Sequence, residues 1–187
     1  YFDRAGLDGG DKINTLINLG VMTDDGFLTR AGILFFNSEP QKYFSSAYIS
    51  CVRYQGIDKV DIIDRKDFYG DLINQVEESI KFFKRNVSNR YKIKDLEREE
   101  ILDYPLEAVR EALLNAVIHR DYSSNKSNIQ LDIFDDRLVI TNIGGLISPL
   151  TKEKLGTLSI RRNPLIADLF YRINFVEKVG TGINRMK

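Results

Sequence analysis

From Phe68 to Val87 the apolar residues Leu72, Ile73, Val76, Ile80, Phe83 and Val87 recur every three or four positions, which predicts a long amphipathic helix. A shorter helical spacing over residues 13–19 ends at Gly20, a residue suited to the left-handed position that closes a helix. Pro105 opens a further helix to about His119, with Leu106, Val109, Leu113 and Val117 on its core side. Pro164 opens another, to about Tyr171. Tyr48–Tyr54 alternates in part and is rich in β-formers, which predicts a strand, with residues 60–63 pairing beside it. Asn128–Phe134 and Arg137–Asn142 predict two strands joined by a tight turn at Asp135-Asp136. Residues 23–29 read as a turn into a short strand or extended connection, as at the tail of a winged-helix-like unit. Ala31–Phe36 is a short apolar run closed by Pro40. Phe175-Val176 reads as extended, and Gly180-Thr181-Gly182 turns into a last helix.

Composition adds bounds. Hydrophobic residues make up 43% and charged residues 29%, so a chain of 187 residues can bury a core without disulfides or a structural metal. Lys plus Arg equals Asp plus Glu at 27 each, so net charge gives no push toward nucleic acid or an anionic membrane. A local basic stretch, Lys81, Lys84, Arg85, Arg90, Lys92 and Lys94, reads first as a solvated helix end and loop, and more sharply as a phosphate-contacting surface. Cys51 lies in an apolar run and reads as a small buried residue rather than a reactive thiol, the single His119 being far off in sequence. No apolar run is long enough to span a membrane and no leader is evident, so a cytoplasmic protein is expected. The start at Tyr1 and the stop at Lys187 read as the ends of an excised piece.

The helix from Pro105 carries the chemistry. Glu111, Asn115 and His119 sit four apart on a stripe separate from the core face, flanked by Ala108, Ala112, Ala116 and Ile118, which leaves room for a ligand. An asparagine amide oxygen is a hard donor suited to Mg²⁺, which takes its remaining ligands from water and phosphate. A carboxylate one turn earlier can polarise a water aimed at a γ-phosphate. Taken alone, the pair reads equally as an exposed glutamate and a helix-surface asparagine. Gly144-Gly145 follows a strand and Gly180-Thr181-Gly182 precedes a helix, positions where backbone can approach phosphate closely.

The order of these parts resembles the GHKL (gyrase, Hsp90, histidine kinase, MutL) nucleotide pocket. The stretches at 104–122, 140–146 (Ile-Thr-Asn-Ile-Gly-Gly-Leu), 162–167 (Arg-Asn-Pro-Leu-Ile-Ala) and 177–186 (Glu-Lys-Val-Gly-Thr-Gly-Ile-Asn-Arg-Met) resemble a RecG-like family of prokaryotic transcriptional regulators, labelled ATP-dependent DNA helicase RecG-related. Residues 16–85, including Leu-Thr-Arg-Ala-Gly-Ile-Leu-Phe-Phe at 28–36, resemble the region before that family's pocket. The resemblance implies an α+β fold: a Bergerat-like α/β sandwich, a mixed sheet with helices on one face. It implies a connector over residues 1–98 and an ATP-binding core over 99–187. Glu111 would be general base and Asn115 the Mg²⁺ ligand. Asn142, Gly144 and Gly145 would border the adenine, and Gly180, Thr181 and Gly182 would contact phosphates. Arg120 and Arg162 are candidate charge partners for the phosphates. ATP and Mg²⁺ are the implied cofactors, and weak ATPase activity the implied chemistry. The implied partners are nucleotide, DNA through other domains of the full-length protein, and a second copy of the chain, with no membrane.

Two departures stand out. The aspartate that reads adenine in GHKL proteins is Asn142, and the segment between the glycine turns holds Ser148-Pro149 and Leu158-Ser159-Ile160 in place of a long glycine-rich lid. They keep open an alternative: a degenerate scaffold for dimerisation or domain docking. No Gly-x-x-x-x-Gly-Lys-Ser/Thr loop occurs, so nothing in this chain supports helicase activity.

Overall fold

The computed structural model describes residues 1–7, 10–87, 89–94, 97–102, 104–151, 153 and 160–175, with backbone alone over 89–94 and 97–102. In chain order the elements are α1 (Lys12–Asn18), α2 (Arg30–Phe36), β1 (Ile49–Gln55), β2 (Asp61–Phe68), α3 (Leu72–Asn86), β3 (Asn89–Lys94), β4 (Glu97–Leu102), α4 (Leu106–His119), β5 (Ile129–Ile133), β6 (Leu138–Thr141) and α5 (Pro164–Arg172). The fold is α+β. One sheet runs in the order β2-β1-β5-β6, with β1 parallel to β5 and the other neighbours antiparallel.

Side-chain alternation decides which face is covered. Ile49 and Cys51 of β1 and Ile129, Leu131 and Ile133 of β5 join one buried core with Val76, Ile80 and Phe83 of α3, Leu113 and Val117 of α4, and Phe170 of α5. On the opposite face Val52, Tyr54 and Phe134 form a smaller cluster with Val139, Tyr54 and Phe134 stacking at 5.0 Å. The helices therefore pack on one face. Cys51 is fully buried there, and burial pushes its thiol up to about 12, the state of an inert core residue.

Helix starts follow the sequence. Asp71 accepts from the Asn74 backbone N–H at 2.9 Å and begins α3; Thr29 accepts from Gly32 N–H at 3.2 Å and begins α2. The run Ala31–Phe36 is thus a helix, which six apolar residues cannot reveal by periodicity. Pro105 lies one residue ahead of α4, its carbonyl accepting from Ala108 and Val109 N–H.

Residues 89–94 and 97–98 depart from expectation. In place of a polar loop, β3 and β4 form an antiparallel hairpin with lysine positions 92 and 94 opposite glutamate positions 99 and 97. The 98/99 boundary falls within β4, and strands from both sides of it share the four-stranded sheet. Among the described residues no helix is long and apolar enough to cross a membrane.

One close approach fixes how α2 docks. A Cβ on Gly32 would lie 2.0 Å from the Val21 carbonyl oxygen and 3.1 Å from Leu28 Cδ2. Backbone cannot yield as a side chain tip can, so Gly32→Ala is expected to cost about 3 kcal/mol. Urea denaturation checks this, and an unchanged midpoint would refute the packing.

Candidate functional site

The polar stripe of α4 lies as expected. Glu111, Asn115 and His119 are half-buried, while Val109, Leu113, Leu114, Val117 and Ile118 behind them are buried. Among the described residues neither the Glu111 nor the Asn115 side chain is hydrogen-bonded. The two side chains thus share one face of a helix whose other face is in the core.

The C-terminal end of this helix is built differently. Arg120 leaves it in an extended conformation (φ −60, ψ 140), so the last four carbonyls need partners from elsewhere. Four side chains supply them. Asn142 Nδ2 donates to Ala116 O at 2.7 Å, and the Tyr122 hydroxyl donates to Val117 O at 3.1 Å. Asn163 Nδ2 donates to Ile118 O at 2.8 Å and also to Arg120 O at 2.8 Å. Arg162 Nε donates to His119 O at 3.1 Å.

The same contacts fasten the first glycine turn to the helix. Arg162 Nη2 donates to Gly145 O at 2.6 Å, and the Asp121 N–H donates to Ile143 O at 3.0 Å. Asn142 Oδ1 accepts from the Ile143 N–H at 2.8 Å. Gly144 has φ +120, and a Cβ there would meet Asp121 Cβ at 3.3 Å and Arg162 Nη2 at 3.4 Å. Only glycine fits this position, for backbone and steric reasons together. At Gly145, by contrast, a Cβ would meet nothing within 4 Å among the described residues.

Asn142, Gly144, Gly145 and Arg162 are thus brought together beside the end of α4. Glu111 lies one turn further back along the helix from Asn115. Gly180, Thr181 and Gly182 lie outside the described residues. Arg120, expected as a phosphate partner, is buried at 1% exposure. Its guanidinium donates to the carbonyls of Ser46, Ser127, Ser124 and Asp121 and to the Ser46 hydroxyl, and it lies 5.0 Å from the Tyr122 ring centre. That is the setting of a structural cation. Its charge is directed at main-chain carbonyls rather than outward. Arg162 also has main-chain carbonyls as partners.

Charge near the helix end shifts two groups. Burial first, then the Arg162 and Arg161 guanidinia, hold the His119 imidazole below its ordinary range. The Ser123 hydroxyl and backbone N–H, with Arg162 and Arg120 contributing, hold the Asp121 carboxyl low. Tyr122 and Asn163 were not singled out by sequence reasoning. Asn163 directly precedes α5, but its side chain makes no cap bond there and reaches across to α4.

Two predictions follow from this geometry. Asn163→Ala strips partners from two carbonyls and is expected to cost about 2 kcal/mol in denaturant unfolding. Asp168→Ala, which removes only the exposed Arg161–Asp168 pair, is expected to cost less than about 1 kcal/mol. Equal losses would refute the cap. The second concerns pH. Because the folded imidazole binds its proton less readily than the unfolded one, its contribution to stability is full above about pH 6.5 and is lost as pH falls through the folded value. The wild type should therefore lose more thermal stability on mild acidification than His119→Gln. Parallel melting-temperature profiles would count against it.

No curated protein matches this chain in sequence. Residues 126–187 match a family model described as "Putative ATP-dependent DNA helicase recG C-terminal", so this stretch resembles a RecG-related ATPase-type domain. The chain is also similar in fold to the crystal structure of the DIP2311 protein from Corynebacterium diphtheriae. The TM-score is 0.78 at 24% identity, over 95% of this chain and 36% of that one. The chain thus spans about a third of the length of that protein.

Proposed function

We propose that this chain is the nucleotide-binding part of a regulatory protein, with a GHKL-type (Bergerat) pocket between α4 and the segment that follows β6. The observation that carries this reading is the Glu111–Asn115 stripe, without a side-chain hydrogen bond among the described residues, on the helix to whose C-terminal end a glycine turn is fastened. The ATPase-type match over residues 126–187 supports it. In this reading Asn115 ligates Mg²⁺ with water and phosphate oxygens, Glu111 orients the attacking water, and Gly180–Gly182 meets the phosphates. Arg120 is left out of the proposed set because its guanidinium is buried against carbonyls. Binding would bias a neighbouring domain or a second copy, and association with DNA would belong to other domains of a longer protein. Turnover, if any, would be slow.

The rival reading is a scaffold that has lost its nucleotide. It is favoured by Asn142, whose amide bonds to the protein itself on both sides. Calorimetric titration with Mg²⁺ and a non-hydrolysable ATP analogue separates the two. Saturable heat and a thermal upshift are expected; no heat and no shift at millimolar nucleotide would leave the scaffold. Asn115→Ala is expected to weaken Mg-nucleotide binding at least about tenfold. Unchanged affinity would remove Asn115 from the site.

A further inference from the structure

Asn142 occupies the place where an adenine-reading carboxylate is expected, but its neighbours assign it other work. Its two bonded partners are a backbone N–H, that of Ile143, and a backbone C=O, that of Ala116. A group between them must accept on one side and donate on the other. An amide does this and a carboxylate does not. An aspartate here would keep the Ile143 bond while setting a negative charge against the Ala116 carbonyl, at the negative end of the α4 dipole. Polarity thus accounts for asparagine at this position without any ligand.

The turn beyond it is held at three points: by Asn142 on Ala116, by the Asp121 N–H on Ile143, and by Arg162 on Gly145. Arg162 Nε and Nη2 reach the helix end and the turn at once, a two-pronged grip that a planar guanidinium can make and an ammonium cannot.

We infer that Asn142 and Arg162 are positioning residues that clasp the Gly144–Gly145 turn to the end of α4, setting the width of the pocket, and that the site holds purine nucleoside triphosphates without selecting adenine over guanine through residue 142. This deepens the nucleotide-binding proposal and rests on it. A carboxylate can only accept, and so favours the amino group of adenine over the carbonyl of guanine. A neutral amide retains both a second N–H and a second lone pair, and it lacks the charge that strengthens one choice.

The test compares binding of Mg²⁺ with non-hydrolysable ATP and GTP analogues to wild type, Asn142→Asp and Arg162→Lys, together with amide hydrogen exchange at Asp121, whose N–H is protected by Ile143. The wild-type affinities should agree within about threefold. Asn142→Asp should weaken both analogues, the GTP analogue by about tenfold and the ATP analogue by less, and quicken exchange at Asp121 at a temperature where the variant is folded. Arg162→Lys, which keeps the charge and loses the fork, should weaken both analogues by the same factor and quicken the same exchange. A residue that serves stability alone would lower the melting temperature and leave affinity in place, which would overturn the inference. So would a wild-type preference for adenine beyond about tenfold, or an Asn142→Asp variant that keeps its affinity and gains adenine preference. Should the wild type bind neither analogue, the nucleotide reading fails and base tolerance with it. Exchange at Asp121 then decides the clasp: quickened in both variants it stands, unchanged it falls. Arg162→Lys carries the test if Asn142→Asp does not fold.

Discussion

The last turn of α4 presents four carbonyl oxygens that no continuing helix satisfies, and the surrounding chain is organised to meet them. The four donors come from three stretches: Tyr122 from the exit turn, Asn142 from beyond β6, Arg162 and Asn163 from before α5. A buried carbonyl without a partner costs about 1–3 kcal/mol, so each bond matters mainly through what its absence would cost. Their common target gives them a second effect. Three segments that meet at one helix end keep fixed positions relative to one another, and the glycine turn is among them.

The charges at this end follow the same logic. A helix C-terminus carries partial negative charge, and cations complement it. Arg120 and Arg162 both lie there. Arg120 goes furthest, bringing a guanidinium to 1% exposure with only carbonyl and hydroxyl oxygens and a tyrosine face among its described contacts. Its Nε has no partner in that environment, and burial holds its pKa below the ordinary value. A charge so enclosed stays because it joins two chain segments, one at Ser46 and one at Ser124 and Ser127, to the helix exit. Two arginines beside a nucleotide motif look like phosphate partners in a sequence; here main-chain carbonyls surround them first.

What the sequence could reveal follows from how local each cause is. The stripe of Glu111, Asn115 and His119 is a property of helical spacing, and it is present as expected. The amphipathic α3 is local in the same sense. Helix α2 is too short for periodicity to separate it from a strand, and the β3–β4 hairpin hides its alternation of Tyr91 and Ile93 among charges. The burial of Arg120 depends on carbonyls 74 residues away at Ser46, which no spacing rule reaches. The role of Asn163 is equally non-local, because its side chain turns from the start of α5 toward another helix.

Topology explains why the parts meet at this end. Strand β2 runs back along β1, so the chain has returned to the end where β5 begins before α3 and α4 pack on one face of the sheet. The exit of α4 lies near the start of β5, where Arg120 donates to Ser127 O. Strand β6 is antiparallel to β5, so its last residue comes back to that same end, with Thr141 paired to Gln130. The residues that follow, Asn142 to Gly145, have to emerge beside the C-terminus of α4 whatever their identity. Given that placement, a donor at residue 142 and a glycine at 144 are what the helix end requires. A ligand held there would touch two elements already tied together, so its binding would be felt at the helix end and, through Arg162 and Asn163, at the start of α5.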